Sequence, residues 1–241
     1  KTNDSQNRDD CMRNMEGGKK WFRCNKGGGY KKWYGNYEYV VDLEHNARNI
    51  RTLISPSTYR LRNVGNYFWA TITWPLSGGN KFGCRYMQAD TLPDVNANII
   101  ILKTQKEYCL MGYMNSVVFE YILDMLNPTV NFPIDTVASA PYLEVDNEQI
   151  SNLVKVNIEL AKRDWDSFEN SWDFRHHPLL RKVSTIAEAF TQWQVECDDR
   201  FNQLKANEEE LNRIFIDIYS LQDELTSEIE DKDVTVHKAD L

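Results

Sequence analysis

The sequence predicts an α+β protein: a head with a mixed β-sheet and a packed helix, followed by a helical region organised around one long helix. Three observations carry that expectation. First, apolar residues recur at every seventh position through Val183, Phe190, Cys197, Leu204, Leu211, Ile218 and Leu225. The positions three further on are Ile186, Trp193, Ile214 and Leu221, with Arg200 and Asn207 as polar members in the middle. A period of 3.5 is the seam of a helix packed along another helix. At ~1.5 Å per residue an unbroken helix of this extent reaches roughly 60 Å. Second, β-branched and aromatic runs fall between residues 37 and 102. Third, Leu110, Tyr113, Met114, Val117, Val118, Tyr121, Ile122 and Met125 keep i, i+3, i+4 spacing, as an amphipathic helix requires. The expected division is a head over 1–145 and a helical connector over 146–241.

Taken in order, residues 1–35 are polar and glycine-rich and read as loop. The run Tyr37 to Val41 reads as a short strand, and 46–54 as a short helix stopped by Pro56. Tyr67 to Trp74 is a strand by composition. The turn at Gly78-Gly79 lets Phe82 to Met87 return, and the apolar Asn98 to Leu102 is expected at the centre of the sheet. One helix spans 108–126, a polar connection covers 129–147, and helix resumes from Asn147. The His176-His177-Pro178 neck leads into the long helix.

The 241 residues carry a net charge of −8, unevenly placed. Residues 1–135 hold 17 Lys and Arg against 13 Asp and Glu; residues 136–241 hold 11 against 23. A basic head on an acidic tail points to an anionic partner for the head. Five cysteines without a Cys-x-x-Cys pair predict free thiols in a reducing, cytoplasmic compartment rather than a zinc site. No apolar run approaches the ~18 residues of a membrane span. The chain begins with Lys1 and reads as a piece of a longer protein.

Enzyme signatures are missing: no GxGxxG, P-loop, HExxH or GxSxG is present. Adjacent histidines before a proline read as a neck rather than a metal pair. More suggestive are bases interleaved with aromatics at Lys19, Lys20, Trp21, Arg23, Lys26, Lys31, Lys32 and Trp33. Cations neutralise phosphates and aromatic planes stack on bases. The turn LSGGNKFGCRY adds Asn80, Lys81 and Arg85, residue types that read base edges or hold phosphates. Arg60 and Arg62 share one face of a short extended segment.

The runs KWYGNYEYVV, ATITWPLSGGNKFGCRY, GYMNSVVFEYILDMLNPTVNF, DWDSFENSWDF and RFNQLKANEEELNRIFIDIYSLQDELTSEIEDKDVTV resemble the C-terminal part of PglX-type adenine-specific DNA methyltransferases of BREX phage-defence systems, and of related fused restriction–modification enzymes. The resemblance implies a parent that moves a methyl group from S-adenosylmethionine to adenine N6. Its Asn-Pro-Pro-Tyr-like catalytic tetrapeptide and its cofactor glycines are absent here, since Asn127-Pro128 is followed by Thr129. The expectation is therefore a DNA target-recognition module without catalytic residues or metal, and without a cofactor of its own. Phosphates would be held by Lys31, Lys32, Arg60 and Arg62, and bases read by Asn80, Lys81 and Arg85. Its partners would be double-stranded DNA, the catalytic methyltransferase domain of the parent chain and other defence-system subunits. The alternatives are a module that docks those subunits through the heptad helix, and an independent nuclease with a metal-dependent acidic site.

Overall fold

A computed structural model describes residues 1–77, 81–104, 106–127 and 129–239. Helix α1 (Arg8–Glu16) opens the chain, followed by β1 (Trp21–Asn25), β2 (Tyr39–Asp42), α2 (Glu44–Leu53) and β3 (Thr71–Pro75). Strands β4 (Arg85–Met87), β5 (Thr91–Pro93) and β6 (Ala97–Ile101) complete the β structure. Helices α3 (Lys106–Met114), α4 (Val117–Leu126), α5 (Ile134–Ser139), α6 (Glu148–Trp165) and α7 (Ile186–Tyr219) follow.

The strands form two small sheets rather than one. In the first, of order β2-β1-β5, β1 runs antiparallel to β2 and parallel to β5; the second, β4-β3-β6, is wholly antiparallel. Strand β3 is the central one, with all five residues buried. The apolar run of β6, expected at the centre, lies at an edge, where its outer residues are only half buried. The first 35 residues hold α1 and β1 rather than loop. Asn7 caps α1 by accepting from the Asp9 and Asp10 amides, and its two acids favour the helix N-terminus.

The helix expected over 108–126 is two helices. Asn115 breaks it because its side chain serves the neighbouring strand, accepting from Cys84 N at 2.9 Å and donating to Cys84 O at 3.0 Å. Ser116 then caps α4 through the Phe119 amide. The apolar spacing runs through the break, so periodicity alone reads one helix.

The long helix is α7, 34 residues or about 50 Å. Its partner is α6 of the same chain. Gln149 meets Glu210, Asn157 meets Asn207 and Asp164 meets Arg200, so rising numbers on α6 pair with falling numbers on α7 and the helices are antiparallel. Gly112 on α3 lets this pair approach, since a Cβ there meets Ile150 and Val154 methyls at 3.1 Å and the Phe215 ring at 3.4 Å. Gly112→Val is expected to cost about 1–3 kcal/mol from overpacking, read as a lower urea midpoint with an unchanged m-value. Ser220 closes α7 in the left-handed region (φ 54°) and turns Leu221 and Leu225 back onto the core.

One core cluster runs from Trp33 and Tyr34 through Ile72, Phe119 and Phe215 to Val234 and Val236. A smaller one gathers Cys11, Met15, Phe22, Leu43, Phe68 and Leu92 between α1, α2 and the first sheet. All five cysteines are unbridged. Among the described residues no helix is long and apolar enough to cross a membrane, and no cluster of three or more His, Cys, Asp or Glu could hold a metal ion. The His177 ring lies 5.9 Å from that of Trp193, and its Nδ1 accepts from the Leu179 amide.

Candidate nucleic-acid interface

From His45 to Ala89 the chain carries six Lys and Arg and no Asp or Glu. Helix α2 opens this stretch with a left-handed turn at His45, Asn46 and Ala47, whose φ values are 49°, 58° and 61°. Such a conformation costs an L-residue roughly 1–2 kcal/mol. Buried Leu43 and Ala47 hold it from either side. The Asp42 carboxylate accepts from the Glu44 amide at 3.1 Å and from Asn49 Nδ2 at 2.9 Å. The turn aims Ala47 into the small core and leaves Arg48 and Arg51 in solvent.

The following loop, 52–60, is exposed apart from half-buried Tyr59. It is laced by its own hydroxyls: Ser55 and Ser57 lie 2.9 Å apart, and Thr58 donates to Ser55 O at 2.7 Å. Arg60 is exposed, and among the described residues it makes no ion pair. A hollow of about 190 Å³ beside it is walled by Ile50, Ile54, Tyr59, Arg60 and Arg62. The same lobe shows cation–aromatic pairs at its surface: Arg8 over Trp69 at 4.3 Å, Lys20 over Trp21 and Lys26 over Tyr39 at 5.1 Å. Stacked cations hold their rings in place while leaving charge accessible.

The residues expected to meet DNA are not gathered on one face. Lys32 is buried, with Nζ 3.5 Å from the Glu208 carboxylate, its amide donating to Thr235 Oγ1. Burial lowers its pKa, but Glu208 outweighs that and holds the ammonium above its ordinary range. Lys31 Nζ sits 3.9 Å from Asp164 and 5.7 Å over the Trp165 ring, and burial pulls its pKa down. Arg85 is fully buried: Nη2 donates to Gly27 O at 2.9 Å, and the guanidinium lies 6.0 Å from the Tyr37 ring. Its pKa is lowered by burial, and its Nε and Nη1 find no partner among the described residues. Trp33 bridges directly to Arg85 in the β ladder, which is why this side of β4 is covered.

Lys81 is half exposed but tied to Asp233 at 2.6 Å. Arg62 clasps the carbonyls of Asp94, Val95 and Ala97, and burial lowers its pKa. Asn80 lies outside the described residues. Among the described residues only Arg60 of the set is exposed and outside an ion pair, and Arg48 and Arg51 on α2 share that state. The signal for that pair was the missing acid rather than any local motif.

Arg23, also in the interleaved run, is an internal tie: it lies 3.0 Å from Asp90 and 2.6 Å from Asp173, which Lys162 also contacts at 2.9 Å. Burial raises the Asp173 pKa, but Lys162 and Arg23 outweigh it and hold the carboxyl below its ordinary 3.8. A depressed carboxylate contributes stability above its unfolded pKa and loses it as pH falls through the folded value. Asp173→Asn is therefore expected to flatten the fall in stability below about pH 4, measured by urea melts at stepped pH. An unchanged acid limb would show this carboxylate to be uncoupled from folding.

No family model matches the chain. The relatives it does match are adenine-specific methyltransferases. It is 42% identical to the adenine-specific methyltransferase PglX of Lacticaseibacillus casei (strain Zhang), over 94% of this chain and 20% of that protein. It is 30% identical to the adenine-specific methyltransferase BrxX of Escherichia coli O9:H4 (strain HS), over 89% of this chain and 18% of that protein. The chain thus corresponds to one portion of a PglX/BrxX-type adenine-specific methyltransferase and spans about a fifth of the length of these relatives.

Proposed function

We propose that this chain is the DNA-reading portion of an adenine-specific methyltransferase, with residues 1–145 facing the duplex and 146–241 bracing them. The observation that carries this reading is the stretch from Arg48 to Arg60, whose three exposed arginines have no acid among them and share a hydroxyl-rich loop, on a chain whose net charge is −8. Arginines on a helix and a hydroxyl-rich loop are the groups that engage phosphate and groove edges. The three left-handed residues beneath Arg48 fit a segment whose backbone is shaped for a ligand.

S-adenosylmethionine belongs, in this reading, to the rest of the parent protein. A nucleoside-type cofactor sits where parallel strands end against helix N-termini. Here the parallel pair is β1 with β5, and β5 runs into the Asp94 turn that Arg62 clasps rather than into a helix. The residues present do not fit the cofactor, and no catalytic step is assigned to them.

The test is fluorescence anisotropy of a labelled mixed-sequence duplex at stepped salt. The expected result is binding whose log affinity falls linearly with log salt, by roughly 0.9 per phosphate neutralised. A flat titration at the lowest salt would overturn the reading.

A second reading rests on the segment leading into α7 and the first turns of that helix. Ile186 is 76% exposed, Leu180 71% and Val195 54%, an apolar surface suited to docking a protein. If docking were the whole role, the chain would co-elute with the remainder of its parent and leave DNA unbound.

A further inference from the structure

On the far side of the chain's charge pattern lies its converse. From Glu107 to Val154 there are seven Asp and Glu and no Lys or Arg. This stretch builds α3, α4, α5 and the approach to α6. It encloses an apolar cavity of about 290 Å³ walled by Trp74, Ile100, Leu110, Phe119, Val137 and Tyr142. The Tyr142 hydroxyl is buried, within reach of the Val145 backbone. At the mouth, Ile134 is 48% exposed, and Leu143 (50%) lies next to Tyr142; Met125 (64%) and Leu126 (46%) are exposed at the end of α4. Apolar surface of this kind around an apolar cavity is what a ligand pocket looks like.

The charge around it selects the occupant. Asp135 sits beside Ile134 on α5, and Glu144 and Asp146 follow Tyr142, all three exposed. Lys106, the first residue of α3, reaches this region and is already engaged by Glu144 at 2.6 Å. A phosphodiester would be repelled here. An apolar side chain carried on a basic segment would be drawn in, its anchor filling the cavity and its Lys or Arg meeting the rim. We propose that this cavity is a docking site for a protein segment that presents an apolar anchor flanked by Lys or Arg. It is separate from the DNA face and independent of the reading given for it.

Two labelled 12-residue amphipathic peptides with identical Leu and Phe positions, one with lysines at every polar position and one with glutamates, test this. Anisotropy against the whole chain is expected to show the lysine peptide binding at least about tenfold more tightly than the glutamate peptide, with the gap narrowing as salt rises. Ala138 lines the cavity and is exposed, so Ala138→Trp obstructs the mouth without entering the core. It is expected to weaken lysine-peptide binding at least about tenfold, with the thermal midpoint unchanged. Asp135→Lys with Asp146→Lys is expected to erase the preference between the peptides, and Arg48→Glu with Arg51→Glu to leave it intact. Equal binding of both peptides, binding that survives Ala138→Trp, or no binding of either would overturn the proposal.

Discussion

Reversing Arg48, Arg51 and Arg60 to Glu together is expected to abolish duplex binding by this chain at physiological salt. Each arginine is exposed, and among the described residues none forms an ion pair. Their loss therefore removes surface charge, and an internal contact given up is the bond from Arg51 Nε to Asn46 O at 3.0 Å. If all three meet phosphates, neutral substitutions should lower the salt slope by roughly 2.7, at about 0.9 per contact. Charge reversal adds repulsion, and an affinity in the non-specific range of roughly 10⁻⁴–10⁻⁶ M leaves little margin for it. The paired control is Lys81→Glu. Its ammonium already serves Asp233 at 2.6 Å, so the same assay should register a far smaller change. Greater weakening from Lys81→Glu than from the triple variant would move the contact surface to the turn before β4.

The second large effect concerns stability. Asp164 is buried and faces Arg200 at 3.8 Å and Lys31 at 3.9 Å, while its oxygens accept from the His237 amide at 3.1 Å and approach His237 Nδ1 at 2.8 Å. Asp164→Ala strands two buried cations. Breaking a buried pair from one side costs about 3–5 kcal/mol, a large share of the ~5–15 kcal/mol by which domains are stable. Glu208→Ala acts the same way, because Glu208 is the partner of both Lys32 and Trp33 Nε1 (2.5 Å). Urea melts should place both variants far below the parent chain. Asp223→Ala, on an exposed acid, should stay within about 0.5 kcal/mol. A loss under 1 kcal/mol for Asp164→Ala would mean that water reaches this cluster.

The sequence made the architecture readable where period and composition agree. The heptads found α7, and the aromatic run before Pro75 found β3, because burying one face leaves a repeat in the chain. It misled where side chains answer to distant partners. Asn115 ends a helix for the sake of Cys84, thirty-one residues earlier. Arg200 and Asn207 are polar members in the middle of an apolar seam, and they are its cross-links, to Asp164 and Asn157. The basic run Lys31-Lys32 looks like a surface patch until Asp164 and Glu208 arrive from well over a hundred residues away. No local pattern encodes such pairings. Arg48 and Arg51 were equally hard to see, since two arginines on a short helix are unremarkable until the surrounding absence of acids is counted.

The contact between Trp33 and Glu208 also bears on how the protein is made. A ribosome releases the indole long before it has synthesised the carboxylate that accepts its hydrogen bond, and longer still before Thr235 pins the neighbouring Lys32. Until then the nascent head holds an unmatched cation and an uncovered aromatic face. Its sheets can pair early, but their final packing waits for the last helix and the segment behind it. Synthesis interrupted between residues 145 and 208 would leave a species with Arg48, Arg51 and Arg60 present and the core still open, the form on which chaperones and proteases would act.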